Sequence, residues 1–192
     1  MGRELEWKYR ADKETLSAIR ERFGPFASIT METAYYDTPD RALSRRRWTQ
    51  RRRLENGVPV CTLKTPGENG SRGEWEVQRN SLSDAIPELC QLGAPGELAE
   101  LTRAGITEVC AARFTRLAAT LRSAECTLEL ALDRGCLTGG GRELPFAEVE
   151  VEYKSGSEAA AEAFARTLSA DFSLVPEPKS KAQRAMALAD TP

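Results

Sequence analysis

An α+β domain of about eight strands, most with one charged and one apolar face, is what this sequence predicts. Three observations predict it. Several short segments alternate charged and apolar residues with a period of two, as a strand requires when successive side chains point to opposite faces. Segments of helical periodicity with recognisable caps lie between them. The charges are sorted by segment, acidic strands complementing basic ones, although 29% of the residues are charged and the net charge is only −2. At 192 residues the chain suits one domain, residues 1–192, with a substantial core.

Glu4-Leu5-Glu6-Trp7-Lys8 opens the chain as a strand, and Tyr9 and Arg10 extend it. Glu4, Glu6, Lys8 and Arg10 share one face, and Leu5, Trp7 and Tyr9 the other. Asp12 caps a helix carrying Leu16, Ile19 and Phe23, which Gly24-Pro25 stops. Ala34 to Thr38 reads as a second strand, with Tyr36 as a packing residue. Six arginines then fall within nine positions, 45–47 and 51–53. Arg51 and Arg53 share a face of a strand that turns at Asn56-Gly57 into a second one, Val58 to Lys64. Arg45, Arg46, Arg47 and Arg52 read as surface or rim charges that steer anions. Glu74-Trp75-Glu76-Val77 alternates again, with Arg72 in phase with the glutamates.

The middle third is helical. Ser83 is placed as the cap of a helix with Ile86, Leu89 and Leu92, and Pro95 as the start of a short one with Leu98 and Leu101. This insert covers a sheet face. Strands resume from Arg113 to Leu121 and from Cys126 to Asp133, with Glu129 and Asp133 in phase, and Gly139-Gly140-Gly141 is a turn. Phe146 to Tyr153 gives the cleanest alternation, with Glu148, Glu150 and Glu152 on one face. Ser157 caps an alanine-rich helix, and the basic tail around Lys179, Lys181 and Arg184 turns helical.

There is no histidine, so no Ser-His-Asp triad, Cys-His dyad or His-ligated zinc or iron can form. Metal chemistry would rest on carboxylates, favouring Mg²⁺ or Mn²⁺. Proton transfer falls to Glu, Asp, Lys, Tyr or a metal-bound water. Five scattered cysteines without ligand spacing read as reduced structural thiols of a cytoplasmic protein. The start shows no signal-peptide pattern, and no apolar run approaches the ~20 residues of a membrane span. The charge balance argues against a nucleic-acid or membrane partner, and an apolar outer sheet face leaves room for a homodimer.

Two arrangements fit these strands. In a two-layer protein the charged faces are solvated. In a closed barrel they point into a lumen holding Glu4, Glu6, Glu74, Glu76, Glu129, Asp133, Glu148, Glu150 and Glu152 with Lys8, Arg51, Arg53, Lys64, Arg116 and Lys181, while the apolar faces lie outside under helices. Such a lumen is costly when empty and suits a ligand of both signs. A polyphosphate with divalent metal is one: Arg and Lys hold phosphate oxygens, and carboxylates hold the metal.

Glu4-Leu5-Glu6-Trp7-Lys8 resembles the signature that opens the CYTH domain, the triphosphate tunnel metalloenzyme family. Tyr35 to Pro39, Arg51-Arg52-Arg53, Thr62-Leu63-Lys64, Arg72 to Glu76, Glu148 to Glu152 and Ser180-Lys181 resemble its later elements in order, although Gln50 and Arg52 stand where that family usually has apolar residues. The resemblance implies an eight-stranded antiparallel barrel tunnel with a polar lumen, flanked by helices. It implies metal-dependent hydrolysis of inorganic triphosphate or a related small triphosphate, with thiamine triphosphate as the nearest variant. An adenylate cyclase and a non-catalytic polyphosphate-binding module are the alternatives. Carried over by position, Glu4, Glu6, Glu148 and Glu150 ligate Mg²⁺ or Mn²⁺ with Asp133 or Glu152 as helpers. Lys8, Arg51, Arg53, Lys64, Arg116, Lys181 and Arg184 grip the triphosphate. Glu4, Glu6, Lys8, Glu74 and Glu76 carry the catalysis, with Glu74 or Glu76 orienting the attacking water or taking its proton.

Overall fold

The computed structural model describes residues 2–67 and 72–190; the side chains of Arg3, Glu4 and Arg72 lie outside the described set, so the ligand role expected of Glu4 does too. The chain's opening strand serves both ends of one large sheet. Its first part, Gly2–Glu4 (β1), pairs with Arg72–Val77 (β6), and its second part, Glu6–Arg10 (β2), pairs with Arg142–Gly156 (β9). Only Leu5 separates them, and its carbonyl accepts a 2.9 Å bond from the Tyr153 N–H of β9.

Between these ends run Val58–Pro66 (β5), Thr49–Glu55 (β4), Ala27–Asp37 (β3), Thr107–Arg122 (β7) and Cys126–Gly139 (β8), in the order β1-β6-β5-β4-β3-β7-β8-β9-β2, and two-residue Val175–Pro176 (β10) borders β2. Every pairing is antiparallel. With β1 and β2 counted as one interrupted strand and β10 as a fringe, this is the expected eight-stranded tunnel. The chain through Leu5 joins the two ends of the ladder.

Two apolar clusters lie outside the sheet, as the alternation requires. One packs Tyr9, Leu128, Leu130, Leu132, Val149 and Val151 beneath Lys13–Phe23 (α1) and Glu158–Asp171 (α5). Asp12 caps α1 through the Thr15 N–H at 2.8 Å, and Ser157 caps α5 through that of Ala160 at 3.2 Å. The other packs Leu63, Trp75 and Val77 beneath the helical insert, with Leu43 of the short helix Ala42–Arg45 (α2). The insert comprises Leu82–Gln91 (α3) and Glu97–Leu101 (α4). Its cap is Ser81, not Ser83: Ser81 is extended, and its Oγ takes the Asp84 N–H at 3.2 Å, while Ser83 already lies inside the helix.

A third cluster corrects the expectation that apolar residues would all lie outside. Met31, Tyr35, Ala112, Phe114, Leu137 and Phe146 share the inward face and pack with Ala182, Ala185 and Met186 of the last helix, Lys181–Asp190 (α6). The inward faces of β7, β8 and β9 switch from charged to apolar towards one end, and α6 seats there. Gly139 permits the close approach: a Cβ on it would stand 2.5 Å from the Ala185 carbonyl oxygen. All five cysteines are free.

Candidate active site

A cavity of about 310 Å³ occupies the charged part of the tunnel. Its acidic wall follows from register. Glu6 of β2 stands beside Glu152 of β9, which stands beside Glu129 of β8, and one step inward Lys8 stands beside Glu150. All five line the cavity, and Lys154 lines it beside them. Lys154 was not anticipated, although it lies two positions beyond Glu152 and so shares its face; its Nζ is 2.8 Å from Glu152.

The basic wall comes from the β4–β5–β6 meander. Arg53, Arg51 and Lys64 form a ladder because Arg51 lies opposite Thr62, and Thr49, two positions before Arg51, lies opposite Lys64. Burial, and Arg51 beside it, press the Arg53 pKa down to about 10 against the pull of Glu55 and Glu76. Glu74 and Glu76 face the same space but are committed to these cations. Glu74 is 3.2 Å from Lys64 and 3.6 Å from Arg51; Glu76 is 3.5 Å from Arg51, 3.8 Å from Arg53, and accepts a 2.9 Å bond from Thr62 Oγ1. Burial alone would raise the Glu76 pKa, but Arg51, the Thr62 hydroxyl, Arg53 and Lys64 hold it below the usual carboxylate range. The tyrosine of this wall is Tyr35, whose phenol burial pushes up; Tyr36 points outward and packs against the outer cluster, as its reading predicts.

Behind the cavity lies a dense ion network. Asp133 and Glu148 are fully buried, and with Glu150 they bring carboxylate oxygens within 4.8 Å of one another. The Lys181 Nζ sits 2.8 Å from Asp133, 2.7 Å from Glu148 and 2.7 Å from Glu150. Arg116 forks onto Asp133 at 2.8 and 2.7 Å and also bonds Glu150. Burial alone would lower Lys181, but Glu150, Asp133 and Glu148 hold it above its ordinary value. Burial would raise Glu150, yet Lys181 and Arg116 keep it well below the carboxylate range.

Glu6, Lys8, Arg51, Arg53, Lys64, Glu74, Glu76, Arg116, Glu150, Glu152 and Lys181 thus converge on one cavity. Asp133, Glu148 and Arg184 are not among its lining. Arg184 bonds Glu148, lies 3.9 Å from Glu177 and stacks its guanidinium 5.5 Å from the Phe146 ring centroid. It is engaged in seating α6. The donor set around Glu150 is entirely hard carboxylate oxygen, which fits Mg²⁺ or Mn²⁺.

A family model described as the CYTH domain matches residues 2–186. The sequence is similar to the inorganic triphosphatase of Haemophilus influenzae, 26% identical over 159 residues, which is 82% of this chain and 45% of that protein; the chain therefore spans less than half the length of that relative. The fold is similar to that of a protein of Pyrococcus horikoshii OT3, at 24% identity and TM-score 0.67, covering 96% of this chain and 98% of the other. It is also similar to that of a Hippeastrum protein described as a candidate adenylyl cyclase with a dominant triphosphatase activity, at 17% identity and TM-score 0.61, covering 96% and 95%. No helix of the described residues is long and apolar enough to cross a membrane.

Proposed function

The chain belongs to the CYTH domain family, and from that premise we propose that its tunnel binds a small triphosphate with a divalent cation and hydrolyses a phosphoanhydride bond. One observation carries the reading: a cationic ladder (Arg53, Arg51, Lys64) and an acidic wall (Glu6, Glu150, Glu152) face each other across a single cavity. The triphosphatase name of the Haemophilus relative supports it.

Glu6, Glu150 and Glu152 would hold Mg²⁺ or Mn²⁺ beside the phosphates, with Asp133 and Glu148 behind them. The ion's contribution when bound is to neutralise phosphoryl oxygen charge. Arg51, Arg53, Lys64 and Lys8 bind the remaining oxygens, replacing Glu74 and Glu76 as partners of these cations. The displaced Glu76 carboxylate, its pKa no longer held down by two guanidinium groups, takes the proton of the attacking water. Positioning and charge compensation supply most of the rate.

The test is incubation with tripolyphosphate, ATP or thiamine triphosphate and Mg²⁺ or Mn²⁺, following phosphate, pyrophosphate and cyclic AMP. Phosphate from tripolyphosphate is the expected product; tight binding without turnover would leave a binding module. An organic triphosphate is the second reading. It is favoured by a cavity of about 630 Å³ that shares Thr49, Lys64, Ser180 and Ala182 with the tunnel and adds Arg47, Trp48 and Met186. That volume falls in the roughly 300–1,000 Å³ range of small-molecule sites.

A further inference from the structure

Lys181 stands where a cation is wanted. Its ammonium is within 2.8 Å of three carboxylates, Asp133, Glu148 and Glu150, whose oxygens lie within 4.8 Å of one another. The spacing that would suit a divalent ion is filled by a side chain of the protein itself. Nor is the occupancy loose. Lys181 is buried, and its Nζ lies 5.1 and 5.4 Å from the ring centroids of Phe114 and Phe146.

Through contacts of at most 2.8 Å, three cations, Lys181, Arg116 and Arg184, meet three anions, Asp133, Glu148 and Glu150; Glu129 and Glu177 stand farther out, 4.0 Å from Arg116 and 3.9 Å from Arg184. A divalent ion added to this set would bring two uncompensated charges into a place largely shielded from water, a heavy cost. An ion that replaces the ammonium adds one net charge and inherits three carboxylates. A triphosphate in the adjoining cavity, which Lys181 also lines, can compensate that charge and receive the released ammonium.

We propose that Lys181 is the resident cation of the Asp133–Glu148–Glu150 triad, and that a divalent ion enters there only by exchanging with its ammonium, which then turns to the phosphates. The inference rests on the triphosphate reading above. Metal alone binds this triad weakly, metal and triphosphate bind it together, and Lys181 changes partners between the two states.

Two measurements test the exchange. In the wild-type chain, ¹⁵N-lysine NMR reads the ammonium directly. A slowly exchanging Lys181 signal is expected without metal. It stays unchanged on adding Mg²⁺ alone and shifts on adding Mg²⁺ with the non-hydrolysable imidotriphosphate. In parallel, calorimetry with Mn²⁺ and no triphosphate should show Lys181→Met, with circular dichroism as the folding control, binding Mn²⁺ at least tenfold more tightly than wild type. A Lys181 signal that shifts with Mg²⁺ alone overturns the proposal; so does one indifferent to Mg²⁺ and imidotriphosphate when calorimetry shows both to be bound. Equal Mn²⁺ affinity of folded variant and wild type also overturns it. If imidotriphosphate does not bind even with Mg²⁺, the triphosphate reading falls and this inference falls with it.

Discussion

The base proposed for this site, Glu76, is an unusual choice, because its carboxylate is engaged by Arg51, Arg53 and Thr62. Those half-buried arginines need anionic partners, and Glu74 and Glu76 supply them; in the proposed reaction phosphate oxygens take their place. Arg51→Met should therefore cost one charge-assisted phosphate contact, worth about 1.5–3 kcal/mol, or roughly 10- to 150-fold in kcat/KM for tripolyphosphate. Steady-state kinetics checks it, and an unchanged kcat/KM would remove Arg51 from the site. Glu6→Gln should abolish metal-dependent turnover while circular dichroism stays that of the wild type. Glu148→Gln bears on the fold as well as on the triad. It leaves Lys181 and Arg184 short of a fully buried carboxylate, so it should lower the unfolding free energy in urea by about 3–5 kcal/mol, as broken buried ion pairs do. A loss under about 1 kcal/mol would mean that the network contributes little.

Among the elements, α6 was the hardest to read in advance and β9 the easiest. Glu148, Glu150 and Glu152 alternate with Val149 and Val151, so strand and facing follow at once. The basic tail was recognisable as helical, and Lys181 as belonging to the site. Nothing in its periodicity said that it enters the tunnel, because Phe114, Leu137 and Phe146 break the charged pattern without showing what covers them. Arg184 illustrates the limit: a basic residue three positions from Lys181 suggests phosphate, yet its partner is Glu148. Ser81 was missed as a cap because Ser83 offers the same chemistry two residues on. The seat of α6 can be tested apart from its charges. In Gly139→Ala the new Cβ would meet the Ala185 oxygen at 2.5 Å and the Ala189 nitrogen at 2.9 Å. Overpacking of this kind costs about 1–3 kcal/mol, and α6 should become the first segment cut in limited proteolysis.

For the whole molecule the pKa shifts combine into a stability profile. Asp12, Asp40, Glu76 and Glu150 all lie below their ordinary values of 3.8 and 4.5 in the folded protein. The unfolded chain binds those protons more tightly, so their contribution is complete above about 4.5 and is lost as pH falls through the folded values. Burial holds the Cys61 and Cys110 thiols above 9.0, Cys110 at about 12; their contribution is complete below 9.0 and fades as pH rises. Urea midpoints of the metal-free protein should form a plateau between about pH 4.5 and 9 and fall on both sides; a maximum confined to one pH unit would contradict these signs.

The strand shared by both ends of the sheet also has a history. Glu6 pairs with Glu152, so Trp7 and Tyr9 leave the ribosome long before the residues that will cover them. Until β9 has been translated the nascent chain has neither its last stave nor its hoop, and contacts of such long sequence separation form slowly. Between the translation of β2 and that of β9 the chain therefore carries a sticky, uncovered strand, and a holding chaperone would find its grip there.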